Sequence, residues 1–413
     1  MQERLHFLDE VMEVDSHRYD LSRFDRCVLI SMGKAAEPMV SSFLAASGAA
    51  AKRFEGIIVA PDPVEPPSEK FIVFQAGHPS PNAASLEAAE TILQMLSSLS
   101  DRDFVVFLVS GGGSSMVEQF LDAGTPLELI AEIHKALVES AAPITAINTV
   151  RKHLSAVKGG RLAAAAAPAE QLTLAVSDVP AGKLDALASG PTTPDNSTLD
   201  DVYAAVEQYG LLARLPAPIG AQIRSRSLKE TPKRGDAIFA RSRWVVLLDS
   251  TSLETTAGKR AAELGWQVVV DDTCDDWPAE EAAAYLVNRL RELRRLSRRV
   301  CLLSAGEVTV TIPQGLAGNG GRNQHFLLES ARRIANEEMI VLSVGSDGVD
   351  GNSPAAGGVV DGTTVERAKQ IGRAVDDALQ SFNSYPLLEK IGDAITTGPT
   401  GNNLRDLRVL LAP

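Results

Sequence analysis

The chain reads as an α/β protein of two domains, and three observations carry that reading. Apolar runs without alternation, such as Phe104–Val109, have the pattern of strands buried on both faces, as in a parallel sheet. Several such runs end in a glycine-rich turn that opens a helix, the βα turn of an α/β fold, and strands and helices alternate in this way throughout, which predicts mainly parallel sheets. The length, 413 residues, exceeds what a single core usually covers. A polar stretch, Ser225–Arg243 with Pro232 and Gly235, sets the expected boundary: a larger domain over 1–235 and a smaller one over 236–413.

Composition narrows the function classes. Hydrophobic residues make up 45%, enough for a sizeable core, and the net charge of −13 argues against general nucleic-acid binding. The three cysteines, Cys27, Cys274 and Cys301, are scattered and show neither a disulfide framework nor zinc spacing. The first residues carry charge and no apolar core, and no apolar run is long enough to span a bilayer, so the expectation is a soluble cytoplasmic protein.

Taken in order, Leu5–Val14 has the pattern of an amphipathic helix. Cys27–Ile30 is a strand, followed by Ser31-Met32-Gly33-Lys34-Ala35-Ala36. A lysine just after a turn glycine sits against the positive end of the helix dipole, a conflict that a bound anion relieves. Lys34 is therefore a candidate phosphate contact, or else a solvated lysine. Gly56–Ala60 and Phe71–Phe74 are further strands, the second ending in Gly77-His78-Pro79-Ser80-Pro81, where His78 either contacts a ligand or caps the loop. Ser85–Ser97 is helical. Phe104–Val109 then runs into Ser110-Gly111-Gly112-Gly113-Ser114-Ser115 and an apolar-periodic helix start at Met116–Leu121. Glycines let backbone come close to a ligand, and free N–H groups favour phosphate or carboxylate.

Pro126–Ser140 is a helix, and Asn148 is the expected N-cap of the next one, with Val150, Leu154 and Val157 as its apolar stripe. Five potential cations, among them Arg151, Lys152, His153 and Lys158, fall in this stretch. They read as an anion site or as a solvated basic face, and Gly159-Gly160 speaks against a purely exposed helix. Leu172–Val176 is a strand that leads into Asp178, a carboxylate placed to hold magnesium or a substrate hydroxyl. Beyond the boundary, Trp244–Leu248, Gln267–Val270, Val300–Leu303, Met339–Val344 and Leu407–Leu411 are strands, and Ala279–Arg299 is a long helix. Gly318–Gly321 leads into Arg322 at a helix entrance, a setting suited to bidentate phosphate recognition. Ser346–Ser353 is a loop with two carboxylates, Asp347 and Asp350, whose spacing lacks the terminal Glu of a calcium loop.

Together, Ser31–Ala36, Gly77–Pro81, Val109–Met116, Asn148–Leu162, Ser177–Val179, Ala188–Thr192, Gly306–Val308, Gly320–Gln324, Asp347–Gly351 and Thr397–Gly401 resemble, in order and over nearly the whole chain, the glycerate 2-kinase family with its MOFRL C-terminal domain. The resemblance implies a Rossmann-like larger N-terminal domain, a smaller α/β MOFRL domain, and an active site in the interdomain cleft. It implies phosphorylation of the 2-hydroxyl of D-glycerate with ATP and Mg2+, giving 2-phosphoglycerate. It implies small-molecule partners only, no nucleic acid or membrane, and a monomer or homodimer. Lys34, Arg322 and Asp178 match catalytic positions, with Asp178 also the metal candidate. Ser110, Gly111, Gly112, Gly113, Ser114, Ser115, His78, Arg151, Lys152, His153, Lys158, Asp347 and Asp350 match stretches expected to bind substrate or phosphate.

The chain departs from the family pattern mainly by losing carboxylates: His325 follows Arg-Asn-Gln, Pro180–Lys183 replaces an acidic turn, Ser353-Pro354 replaces Thr-Asp, Asn82 stands for Asp and Asn402 for Thr. These losses motivate an alternative, a non-catalytic or altered-substrate relative that binds a sugar acid. A third reading, an NAD(P)H-dependent hydroxypyruvate reductase, requires a Gly-x-Gly-x-x-Gly turn, and Ser110–Met116 lacks its third glycine.

Overall fold

The computed structural model describes residues 4–122, 124–180, 182–313, 315, 316 and 318–413. It divides into two compact units: the first runs to Ser177 and takes in Gly182–Leu247, the second comprises Leu248–Pro413 and a short segment starting at Asp178.

The first unit opens on a three-stranded antiparallel sheet, β1 (Leu5–Leu8), β2 (Val11–Val14) and β3 (His17–Asp20). The helix expected over 5–14 is therefore a hairpin. Asp9 takes a φ of 54° and reverses the chain, and Met12 and Val14 are buried on either side of exposed Glu13, a period of two rather than 3.6.

The main sheet of this unit follows: β4 (Cys27–Met32), β5 (Phe54–Ala60), β6 (Phe71–Gln75), β7 (Phe104–Ser110), β8 (Glu170–Val176) and β9 (Ser242–Leu248), in the order β6-β5-β4-β7-β8-β9. The pairings from β6 to β8 are parallel. Every residue of β4 and β7 is buried, which is why their sequences show no alternation. The order is the 3-2-1-4-5-6 of a doubly wound Rossmann sheet, and it reverses between β4 and β7. The carboxyl ends of those two strands flank the crevice in which such sheets bind ligands. β9 completes this sheet, so residues 236–247 lie in the first unit rather than in the second domain expected from 236 onward. The indole of Trp244 donates to the Thr192 carbonyl at 2.9 Å and Arg241 pairs with Glu170 at 3.0 Å, holding the segment there.

Helix Ala83–Ser97 is capped by Asn82, whose Oδ1 accepts from the Ser85 amide at 3.0 Å. Asparagine caps as well as aspartate, so that departure from the family pattern leaves the helix intact. Helix Ile144–Leu154 starts after Pro143, and Asn148 lies inside it rather than at its N-cap.

The second unit holds β10 (Gln267–Val270), β11 (Val300–Ala305), β12 (Ile340–Gly345), β13 (Gly357–Asp361), β14 (Ala394–Ile395) and β15 (Asp406–Ala412), ordered β10-β11-β15-β12-β13-β14. Here only β10 and β11 pair in parallel; the other pairings are antiparallel, so the mainly parallel expectation describes the first sheet and not this one. Helices Ala279–Leu296 and Arg322–Arg333 contribute Leu286, Leu290, Phe326 and Leu327 to the core on this sheet. No helix among the described residues is long and apolar enough to cross a membrane.

Gly56 faces Leu29 across β5 and β4, and a Cβ on it would lie 1.8 Å from the Leu29 carbonyl oxygen. Gly56→Ala is expected to push the two strands apart and to lower the unfolding free energy by on the order of 3 kcal/mol in urea titration. An unchanged midpoint would contradict this packing.

Candidate functional site

The glycine loops of the first unit meet where the strand order reverses. Gly33 follows β4 with a φ of +118°, and a Cβ there would lie 2.4 Å from Ser110 Oγ, so only glycine lets the two turns close on each other. The Lys34 amide donates to the Gly111 carbonyl at 2.8 Å, and the Ala35 amide donates to Ser110 Oγ at 3.0 Å. Gly112, at φ +84°, lies between the His78 ring and the Lys34 side chain, each 3.2 Å from where its Cβ would be. His78 Nδ1 and Ser115 Oγ hydrogen-bond at 3.1 Å. Burial, and after it the charge of Lys34, hold the His78 pKa below its ordinary value, so the imidazole is neutral near pH 7. Ser114 Oγ bonds to Ser189 Oγ at 2.9 Å, which ties in the 188–192 loop. Lys34, His78 and Ser110–Ser115 thus form one constellation. The helix expected from Met116 onward is a single turn, Gly113–Met116, because Phe120 leaves it to bridge Ser155.

The basic stretch over 148–162 is mostly framework. Lys152 is 6% exposed and pairs with Asp195 at 3.1 Å. His153 lies between the Thr149 carbonyl and Glu230, both at 2.8 Å. Lys158, 1% exposed, pairs with Glu118 at 2.6 Å. Burial brings Lys158 down to about 8. Burial also works against the Glu118 charge, but the cation of Lys158 and the bond from His134 overcome it and hold Glu118 at about 2. Both are therefore ionised at pH 7. Arg151 is half-buried, and its Nε has no hydrogen-bond partner among the described residues. The Gly159 and Gly160 amides donate to the carbonyls of Ser189 and Gly190 at 3.0 and 2.7 Å, so the glycine pair seats this stretch on the loop that supports Ser114. The carboxylates Glu118, Asp195 and Glu230 escape sequence reading because nothing local relates them to their distant cations.

In the second unit Arg322 opens helix Arg322–Arg333. Asp406 receives it in a fork, Nε at 2.6 Å and Nη2 at 3.1 Å, and Glu307 forms an ion pair with Nη2 at 2.8 Å. Nη1 makes no hydrogen bond to a described residue. Burial opposes the Arg322 charge, yet the Asp406 bonds and the Asp406 and Glu307 charges raise its pKa above the ordinary value. The helix N-terminus is occupied from within: Asp350 accepts from the amides of Asn323 and Gln324 at 3.1 and 2.8 Å. Burial raises Asp350 to about 6 despite those amides. Arg322, Asp350, Asp347 and His325 line a cavity of about 720 Å³. Asp347 Oδ1 accepts from the Val349 amide at 3.1 Å. Asp178 is half-buried just past β8. Among the described residues no group of three or more His, Cys, Asp or Glu is arranged to hold a metal ion.

A doubly wound sheet with a lysine and a glycine loop at its switch point, joined in one chain to a mixed sheet that carries a clamped arginine, defines a two-unit α/β protein. Residues 2–224 match the family described as a domain of unknown function, DUF4147, and residues 300–406 match the MOFRL family. The chain is 36% identical over 390 residues to a D-glycerate 2-kinase of Thermotoga maritima, across 93% of this chain and 90% of that one. It is 35% identical to a putative hydroxypyruvate reductase of Agrobacterium vitis, across 94% and 87%. A solved glycerate kinase structure from Thermotoga maritima superposes with a TM-score of 0.84 at 35% identity, covering 95% of this chain and 92% of that one. The chain belongs to the glycerate 2-kinase family, a family of kinases.

Two outcomes test the framework roles. Lys158→Met is expected to lower stability by about 3–5 kcal/mol in urea titration by stranding Glu118, whereas Lys158→Met with Glu118→Leu recovers most of that loss. A folded Lys158→Met with unchanged stability would return Lys158 to the ligand-binding set. Asp350 has a folded pKa of about 6, above its unfolded value of 3.8. Its contribution to stability is fully present below the unfolded pKa and is lost as pH rises through about 6. The urea midpoint of Asp350→Asn relative to wild type is therefore expected to rise between pH 4 and 6.5. A flat difference would contradict the raised pKa.

Proposed function

We propose that this protein transfers a phosphoryl group from ATP to the 2-hydroxyl of D-glycerate, giving 2-phosphoglycerate. The observation that carries the reading is the meeting of Lys34, His78 and Ser110–Ser115 at the switch point of the doubly wound sheet. The names of the relatives support the acceptor. Phosphoryl transfer asks a protein chiefly for positioning and charge stabilisation. In this reading the Lys34 ammonium neutralises the phosphoryl in flight, the glycine loop lets backbone approach an anionic group, and neutral His78 hydrogen-bonds the acceptor. Arg322 is the second cation: Asp406 fixes its fork and leaves Nη1 for a phosphate oxygen. A magnesium ion that arrives on the nucleotide needs only one or two carboxylates, which fits the described residues, among which no metal cluster is built, and Asp178 is the carboxylate assigned to it. Such an ion supplies neutralisation of phosphate charge when bound.

The test is coupled ADP release with D-glycerate. Lys34→Ala is expected to lower kcat by about 10²–10³. Arg322→Lys is expected to fail similarly, because a lysine cannot keep the bidentate Asp406 contact and still point at a phosphate. Turnover unaffected by Lys34→Ala would remove the assignment, and ligand binding without ADP release would favour the non-catalytic alternative. The reductase reading has the name of the Agrobacterium relative behind it. NADH oxidation with hydroxypyruvate decides it directly.

A further inference from the structure

The first unit carries a cationic cavity of about 440 Å³, remote from the glycine loops. Its walls come from β3 and the segment between β3 and β4, from the residues entering β7, from the first residue of β8 and from the entry and start of β9. β4, β7 and β8 run parallel, so this is the amino edge of the sheet, whereas Lys34 and Ser110–Ser115 lie at the carboxyl edge. The seven residues of β7 separate the two places by about 20 Å.

The cavity is basic in an acidic protein. Five arginines against three carboxylates line it, in a chain whose net charge is −13. Three of the arginines already have partners: Arg241 pairs with Glu170 at 3.0 Å, Arg18 with Glu13 at 3.7 Å, and Arg102 with Asp25. Arg23 and Arg243 have no ion pair among the described residues, although both line the cavity. A tyrosine whose hydroxyl is cut off from bulk solvent lines the same cavity. Tyr19 is 6% exposed, stacks on Phe104 with ring centroids 5.0 Å apart, and has a hydroxyl with no hydrogen-bond partner. A buried hydroxyl left unpaired costs about 1–3 kcal/mol unless something supplies the bond.

Two guanidiniums without an acid partner, one of them bonded, among the described residues, only to the neighbouring Ser242 carbonyl at 2.9 Å, and an unpaired phenol donor in the same cavity share one complement: a compact polyanion with several acceptor oxygens. The volume suits a small metabolite rather than a polymer. We propose that this cavity is a second anion site, separate from the catalytic loops, that takes a small phosphorylated metabolite, with Arg23 and Arg243 meeting its phosphate and Tyr19 donating to it.

Calorimetric titration of the full chain with inorganic pyrophosphate, at low salt and without divalent metal, tests this. Wild type is expected to show two classes of site. Arg23→Ala with Arg243→Ala should weaken one class at least ~10-fold while turnover of D-glycerate stays within about twofold, since a charge-assisted bond contributes about 1.5–3 kcal/mol. Lys34→Ala should leave that class in place. Tyr19→Phe, which removes only an unsatisfied hydroxyl, should weaken the same class several-fold without lowering the thermal midpoint, and so guards against a misfolded double variant. Two results would overturn the proposal: an isotherm unchanged by the arginine substitutions and by Tyr19→Phe, or loss of all pyrophosphate binding in Lys34→Ala.

Discussion

The constraint on which the first unit depends is the contact between two neighbouring turns. β4 and β7 are adjacent and parallel, and the connections leaving them part in opposite directions. The Lys34 amide on the Gly111 carbonyl and the Ala35 amide on Ser110 Oγ bind those turns to each other before they separate. That contact demands glycine at position 33, because any side chain there would meet Ser110. It also fixes where the lysine stem leaves the backbone, with the Lys34 side chain and the neutral His78 ring on either side of Gly112. Long charged side chains have considerable rotamer freedom, so anchoring the first part of Lys34 reduces the entropy lost when the ammonium engages an anion.

A second principle runs through both units: most of the cations that look available in sequence have an acid of their own. Lys152, His153 and Lys158 are engaged by Asp195, Glu230 and Glu118, and these pairs brace the loop behind Ser114. In the second unit Asp350 occupies the amides at the start of a helix, where a phosphate would otherwise be attracted, and Asp406 with Glu307 holds Arg322. Buried charges need such partners, since an isolated ion inside a protein is costly. Sites reserved for a ligand are then recognisable as the few polar groups left without one.

Much of the fold was legible because it is written in local pattern. Uninterrupted apolar runs announced β4, β7 and β8, and glycine after a strand announced the turns that close over them. The failures have physical causes. Residues 5–14 offered apolar positions compatible with a helix, and the left-handed turn at Asp9 decided otherwise. β13 and β14 are too short to show a period, and the antiparallel pairing of the second sheet depends on register between distant segments. At the candidate site Lys34 and the glycine loop were legible from their turns. The clamp on Arg322 was not, since Asp406 is an ordinary acid at the start of a strand.

β15 lies between β11 and β12, although about a hundred residues of chain separate it from β11. β12 meets β13 close by in the chain, but neither β11 nor β12 can meet β15 in a local hairpin, so the centre of the second sheet waits for a segment that is made long after its first strands. Asp406 belongs to that segment. The arginine is therefore gripped only when the sheet itself is whole, and a half-assembled C-terminal unit carries a loose guanidinium rather than a poised one.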